Sequence, residues 1–244
     1  MGLVSISFRK HSPEEILKAM KECGLEYIEW GSDVHAPCHD LEGLKKLAKL
    51  QAEYGISCSS YGTYFKFGKH SVDELEDYIT AAKILGTDVL RLWCGRKSGA
   101  EITDAEREAL LCDCRRAAEI AEQQGVTLCM ECHQKTFTER AEDAAWLMRE
   151  VASPRFRMYW QPFCEETAEE NLGRAELLAS YSEHLHVFNW KGARKLPLSK
   201  AVDEWRAYLK HFPAPRTLLL EFMPSDGIEE LSAETNALKH IVGE

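Results

Sequence analysis

The sequence predicts an α/β protein, a single-domain (β/α)8 TIM barrel over residues 1–244, and three observations carry that reading. Eight short apolar runs alternate with longer helix-patterned stretches from one end of the chain to the other. The turns between them are small, and no Gly/Ser/Pro-rich linker or charge run interrupts the alternation. Such alternation implies parallel strands joined by right-handed crossovers. Eight units in 244 residues match a closed barrel. A doubly wound open sheet usually has fewer strands and often a glycine-rich first turn. The start of this chain offers no G-x-G-x-x-G.

The expected strands are, in order, 2–8 "GLVSISF", 25–30 "LEYIEW", 56–61 "ISCSSY", 88–94 "DVLRLWC", 126–132 "VTLCMEC", 156–161 "FRMYWQ", 184–190 "HLHVFNW" and 217–222 "TLLLEF". Helix starts between them carry capping boxes at Ser12/Glu15, Ser71/Glu74 and Thr103/Glu106, where hydroxyl and carboxylate satisfy otherwise unpaired backbone donors. Pro13 sits at a first helical position. Gly24, Gly55, Gly86 and Gly125 each stand directly before a strand, where a left-handed helix cap is needed.

Composition narrows the partners. Thirty Lys and Arg against forty Asp and Glu give a net charge of -10, which leaves no electrostatic footprint for nucleic acid. The amino terminus "MGLVSISFRK" lacks the basic start and long apolar stretch of a secretory signal, and no apolar run long enough to span a membrane follows. A cytoplasmic protein is expected. Nine cysteines, an odd number scattered over a chain of enzyme size, read as reduced thiols. Homo-oligomerisation is left open by the sequence.

In a parallel barrel the strand C-termini face the active site, so polar residues ending apolar strands are the informative ones. Strand five ends with Glu131 and His133, strand six with Gln161, strand seven with His186, Asn189 and Lys191, and strand eight with Glu221. Two carboxylates and an imidazole converging at a barrel mouth make a divalent metal site whose oxygen and nitrogen donors suit manganese, magnesium, cobalt or zinc. The competing reading is an ion-pair network in which Glu131 meets Lys66, Lys191 or Arg194 and His186 is a hydrogen-bonded core histidine.

The order of these strand-terminal groups, together with the βα pattern of the whole chain, resembles the xylose isomerase-like barrel family. That family includes sugar-phosphate isomerases and epimerases, ketohexose epimerases, inosose dehydratase and endonuclease IV. In its epimerase branch the metal is held by Glu, Asp, His and Glu from strands five to eight, and the two glutamates also move the substrate proton. The resemblance implies Glu131, Gln161, His186 and Glu221 as metal ligands, with Glu131 and Glu221 catalytic. Three positions depart from the pattern: Gln161 replaces the Asp, Cys164 replaces a histidine three residues later, and Asn189 replaces an Asp. A glutamine can ligate through its carbonyl oxygen but supplies a dipole rather than a charge, so weaker retention of a divalent ion is expected.

Trp30, Trp93, Trp160 and Trp190 fall at or near strand C-termini, where flat rings could stack on a sugar or simply pack the upper barrel. Trp30, Trp93 and His133 are taken as substrate-binding candidates, with Lys191 and Arg194 of "WKGARK" as a cationic loop for a substrate phosphate or carboxylate. "HAPCH" (His35, Cys38, His39) lacks a second ligand pair for zinc. Cys129 and Cys132 form a C-x-x-C whose odd spacing on a strand sends them to opposite faces.

The expected function is a metal-dependent isomerase or epimerase of a small sugar, sugar phosphate or polyol, working through an enediolate. Two alternatives stand beside it: a dehydratase acting on the same substrate class, and a non-catalytic sugar-binding barrel with a degenerate metal site. A zinc nuclease would need more His and Asp ligands and a basic face.

Overall fold

The computed structural model describes residues 1–212 and 217–244. The three capping boxes read from the sequence close as reciprocal hydrogen bonds, and a fourth forms at Thr167/Glu170. Gly24, Gly86 and Gly125 end their helices at φ of 76°, 84° and 68°, a region that costs a side-chain-bearing residue strain. The helices so delimited are α1 (Pro13–Cys23), α2 (Leu41–Glu53), α3 (Leu75–Leu85), α4 (Asp104–Gln124), α5 (Ala141–Val151), α6 (Ala168–Leu178), α7 (Val202–Leu209) and α8 (Leu231–Val242).

Between them run β1 (Gly2–Val4), β2 (Tyr27–Gly31), β3 (Ser57–Lys66), β4 (Val89–Trp93), β5 (Thr127–Glu131), β6 (Phe156–Trp160) and β7 (Ser182–Val187). A small hairpin, β8 (Trp190–Lys191) with β9 (Arg194–Lys195), precedes β10 (Thr217–Leu220). The eight long-axis strands pair in parallel and close a barrel, β10 joining β1 to β7. This is the (β/α)8 architecture read from the alternation.

Strand alternation splits the apolar residues into two layers. Val4, Ile6, Val89, Cys129, Tyr159 and Leu219 fill the barrel interior. The opposite parity, including Leu3, Ile28, Trp30, Leu90, Met130 and Trp160, packs outward against the helices. Cys129 and Cys132 therefore part company, one inside and one outside, and all nine cysteines are free thiols.

Three expected strands stop two or more residues before the ends of the apolar runs that announced them. The run 2–8 leaves the ladder after Val4 and turns through a 3-10 helix at Ser5–Phe8. There Ser5 Oγ accepts from the Gly31 N–H at 2.9 Å and Ser7 Oγ from the Phe222 N–H at 2.8 Å, so the hydroxyls finish neighbouring strands. The run 184–190 stops at Val187, because the Asn189 amide donates to the Pro197 carbonyl at 2.9 Å and anchors the hairpin base. The last strand ends at Leu220, two residues before Phe222 turns to a φ of 57°. In the other direction, β3 runs on to Lys66, with a register shift against β4 after Gly62.

Candidate active site

Residues two further along than the interior apolar layer stand one layer nearer the strand C-termini, and there the barrel turns polar. Arg91 follows Val89, Glu131 follows Cys129, Gln161 follows Tyr159, and Glu221 follows Leu219. Glu29 of β2 and His186 of β7 complete the layer. Ligand atoms of Glu131, His186 and Glu221 all lie within 4.8 Å of one another, the one such His/Cys/Asp/Glu cluster among the described residues. His186 Nδ1 faces Gln161 Oε1 at 2.9 Å, Glu221 Oε2 at 3.4 Å and Glu131 Oε1 at 3.8 Å.

Gln161 is fixed between two partners. Its amide nitrogen donates to the Cys132 carbonyl at 2.9 Å, which leaves Oε1 turned toward His186 and the two glutamates. All four groups singled out for a metal thus meet at one centre. Cys164 lines the same cavity as a neutral thiol, pushed up to about 11 by burial and by Glu221, whereas Asn189 serves the hairpin.

Arg91 is the residue that strand-end reasoning did not single out. Only 2% exposed, it donates from Nε to Glu29 Oε1 at 2.8 Å and from Nη1 to Glu131 Oε2 at 2.5 Å. The Trp93 indole N–H donates to the same Glu131 oxygen. Glu131 Oε2 is thereby consumed, and Oε1 is the oxygen presented to His186. Glu131 does form an ion pair, but with Arg91 in place of the surface cations considered from sequence.

These contacts divide the carboxylates. Burial by itself would raise Glu131, yet Arg91, His133, His186 and the Trp93 bond outweigh it and hold the carboxyl below its ordinary value. Glu29 is driven well down in the same way, by Arg91 and His186 against complete burial. Glu221 goes up, because burial and the charges of Glu131 and Glu29 outweigh His186 and Arg91. His186 is raised: three carboxylates overcome its burial. Three buried carboxylates facing one guanidinium and one imidazole leave a formally anionic centre with oxygen and nitrogen donors converging, and that donor set fits a divalent cation.

Gly62 of β3 is part of this packing. A Cβ there would lie 2.6 Å from Glu29 Oε1 and 2.8 Å from Arg91 Nη2, and neither group can retreat without breaking the pair. Gly62→Ala is expected to destabilise the protein by about 1–3 kcal/mol through overpacking. Urea denaturation checks it, and a midpoint equal to that of the wild type would mean the Glu29–Arg91 pair is not held as described.

A cavity of about 500 Å³ opens over the centre. Glu131, Gln161 and Glu221 lie at its base, Arg9, Arg91 and His133 supply polar groups, and Phe163, Trp190 and Phe222 supply apolar rings. Trp93 and His133, both expected at a substrate, line it with ring centroids 5.0 Å apart. Trp30 does not reach it. Its parity sends the indole outward, where it is fully buried and donates to Gln51 at 2.7 Å, and Trp160 likewise packs against Trp205, Tyr208 and Phe212. Lys191 and Arg194 are also outside the lining: both are exposed, and Lys191 pairs with Glu204 at 2.7 Å. His35, Cys38 and His39 do not converge, since His35 bonds the His11 carbonyl and His39 lies 3.7 Å from Asp77.

A family model for xylose isomerase-like TIM barrels matches residues 17–235. No curated protein matches the chain. Among solved structures, the probable 3-DHS dehydratase AsbF of Bacillus anthracis, involved in petrobactin synthesis, is similar with a TM-score of 0.82 at 18% identity, covering 98% of each chain. D-psicose 3-epimerase of Clostridium cellulolyticum H10, solved with D-tagatose, gives 0.72 at 13% identity over 99% of this chain and 97% of that one. A xylose isomerase-like TIM barrel protein of Mycobacterium smegmatis, in complex with magnesium, gives 0.68 at 14% identity over 96% and 90%. At these identities the likeness is one of fold. No helix among the described residues is long and apolar enough to cross a membrane.

Proposed function

We propose that this chain, which belongs to the xylose isomerase-like TIM barrel family, is a metal-dependent isomerase or epimerase of a small sugar, sugar phosphate or polyol. The observation that carries the reading is the convergence of Glu131, His186 and Glu221 within 4.8 Å, with Gln161 Oε1 beside them, beneath a cavity of a size suited to a small ligand. Those four residues would hold manganese, magnesium, cobalt or zinc. A divalent ion so held would polarise a substrate carbonyl and its neighbouring hydroxyl, making the C–H between them acidic.

The residues of the chain supply the proton traffic. Glu131, kept ionised by Arg91 and Trp93, presents Oε1 as the base that takes the carbon-bound proton and leaves an enediolate. Glu221, in the same cluster as the Arg91-bound Glu131, would return a proton to the neighbouring or opposite face. His133 and Arg9, on the cavity wall, orient hydroxyl or anionic groups, and the aromatic residues cover the C–H face of a sugar.

Dehydration is the second reading, supported by the full-length likeness to the probable dehydratase at a TM-score of 0.82. The same base would remove the same proton, and a β-hydroxyl would leave as water with the proton supplied by Glu221. Incubating manganese-loaded protein in D2O with ketoses, their phosphates and cyclic keto acids separates the readings. Deuterium incorporated without loss of water supports isomerisation or epimerisation, and loss of one water by mass supports dehydration. Tight ligand binding with neither outcome would leave a non-catalytic binding barrel.

Gln161 sets the strength of metal binding in this reading. Gln161→Asp should bind manganese about tenfold more tightly than wild type, about 1.4 kcal/mol, because it adds a charge to the donor set. The Cys132 carbonyl loses its donor, a cost that falls on stability. Side-by-side calorimetric titrations decide it: equal or weaker binding by the Asp variant would mean that position 161 does not face the ion.

A further inference from the structure

Glu29 lies outside the ligand set proposed above, yet it is fully buried and its carboxylate is turned toward His186. Oε1 accepts from Arg91 Nε at 2.8 Å, and Oε2 accepts from Ser60 Oγ at 3.0 Å. Oε2 also lies 3.5 Å from His186 Nε2, a buried ring nitrogen with no hydrogen-bond partner at normal distance. Tyr159, whose ring centroid is 4.4 Å from that of His186, directs its hydroxyl to Ser60 Oγ at 3.1 Å. Glu29 is therefore the acceptor best placed for an Nε2 proton, while Nδ1 looks into the centre formed by Gln161, Glu131 and Glu221. Gln161 Oε1 can only accept there, so an ion bound at that centre takes the place of a proton on Nδ1 and leaves the ring its proton on Nε2.

We propose that Glu29 is a positioning residue for the metal: it accepts the Nε2 proton of His186 and so leaves the Nδ1 lone pair free to ligate the ion. The proposal rests on the metal-dependent reading above. A neutral imidazole carries one proton, and the partner of the non-ligating nitrogen decides where it sits and how the ring is oriented. Had Glu29 served Arg91 alone, one oxygen would suffice, but its second oxygen faces Ser60 and His186. Gly62 leaves the room this arrangement needs.

Glu29→Gln tests it with little change of shape. Arg91 Nε requires an acceptor, so the amide oxygen takes the Oε1 place and the NH2 takes the Oε2 place, facing His186 Nε2. The amide then donates to Nε2 and holds the ring proton on Nδ1, where the ion must bind. Manganese titration of the full chain is expected to show binding at least about tenfold weaker in the variant. In nitrogen-15 spectra of histidine, the proton should sit on Nε2 in the zinc-loaded wild type and on Nδ1 in metal-free Glu29→Gln with the ring neutral. Equal manganese affinity overturns the proposal, and so does weaker affinity with the proton still on Nε2, which would make Glu29 a charge and nothing more. Should the variant fail to fold, the wild-type spectrum decides: an unprotonated Nε2 in the zinc-loaded protein overturns it. A wild type that binds neither ion fails the metal reading itself, and the role of Glu29 falls with it.

Discussion

Glu131→Gln and Glu221→Gln are each expected to slow exchange of a substrate C–H proton with solvent deuterium by about 10²–10⁴-fold, the usual contribution of a positioned acid or base. That corresponds to roughly 3–5 kcal/mol of activation free energy. In the first variant Arg91 and Trp93 still demand an acceptor, so the amide oxygen replaces Oε2 and an NH2 group stands where Oε1 should accept the proton. The second variant removes a carboxyl whose folded-state pKa lies above the ordinary value. A carboxyl raised in this way binds its proton more tightly in the folded chain, so its ionisation at neutral pH opposes folding. The two variants should therefore separate in stability while sharing the catalytic loss. In metal-free protein, Glu221→Gln should melt at or above the wild-type temperature, and Glu131→Gln, which deprives Arg91 of a charge partner, should melt below it. Wild-type exchange in either variant on an identified substrate would remove that residue from proton transfer.

The barrel was legible because its signals are local. Capping residues at 12, 71 and 103 and glycines before strands depend on a few neighbours, and eight of these short patterns in series leave few topologies. The strand-end polar residues were legible for the same reason, since all four metal candidates end up facing one another. Trp30 and Arg91 show where reading strand ends alone falls short. Trp30 is adjacent to Glu29, so if Glu29 faces the interior the indole faces the helices, a consequence of the two-residue period that position along the strand does not reveal. Arg91 stands in the middle of "DVLRLWC", two residues from Val89 and two from Trp93, and a guanidinium on the inner parity of a buried strand signals buried carboxylates elsewhere. Which carboxylates those are is a matter of three-dimensional proximity: Glu29 is 62 residues away and Glu131 is 40. Pairing of this kind leaves no mark on a local pattern.

Arg91→Met should cost about 3–5 kcal/mol of folding stability, because it leaves buried carboxylates without their cation. Methionine fills most of the volume of the arginine stem, so the change is chiefly electrostatic, and it falls on two groups at once. Glu29 has no exposure and would keep only Ser60 and the more distant His186 as partners, while Glu131 would keep the Trp93 indole. Both must then bind protons or endure burial as bare charges, and either course disfavours the folded state at neutral pH. At about 2–4 °C per kcal/mol for a chain of this size, the melting temperature should fall by roughly 6–20 °C. The loss should also shrink as pH falls. Glu29 and Glu131 titrate below the ordinary carboxylate value in the wild type, so the stability they confer is present above that value and fades as pH drops through their folded pKa values. A variant lacking Arg91 has no such stabilisation to lose, and its melting curve should approach that of the wild type in acid. Combining Arg91→Met with Glu29→Gln removes one stranded charge and should recover part of the loss, a non-additivity expected of groups in direct contact. Thermal melts of the single and double variants across pH supply the measurement. A single variant within about 1 kcal/mol of wild type at neutral pH would show that the two glutamates do not depend on Arg91, and would transfer their burial to a cation bound among them.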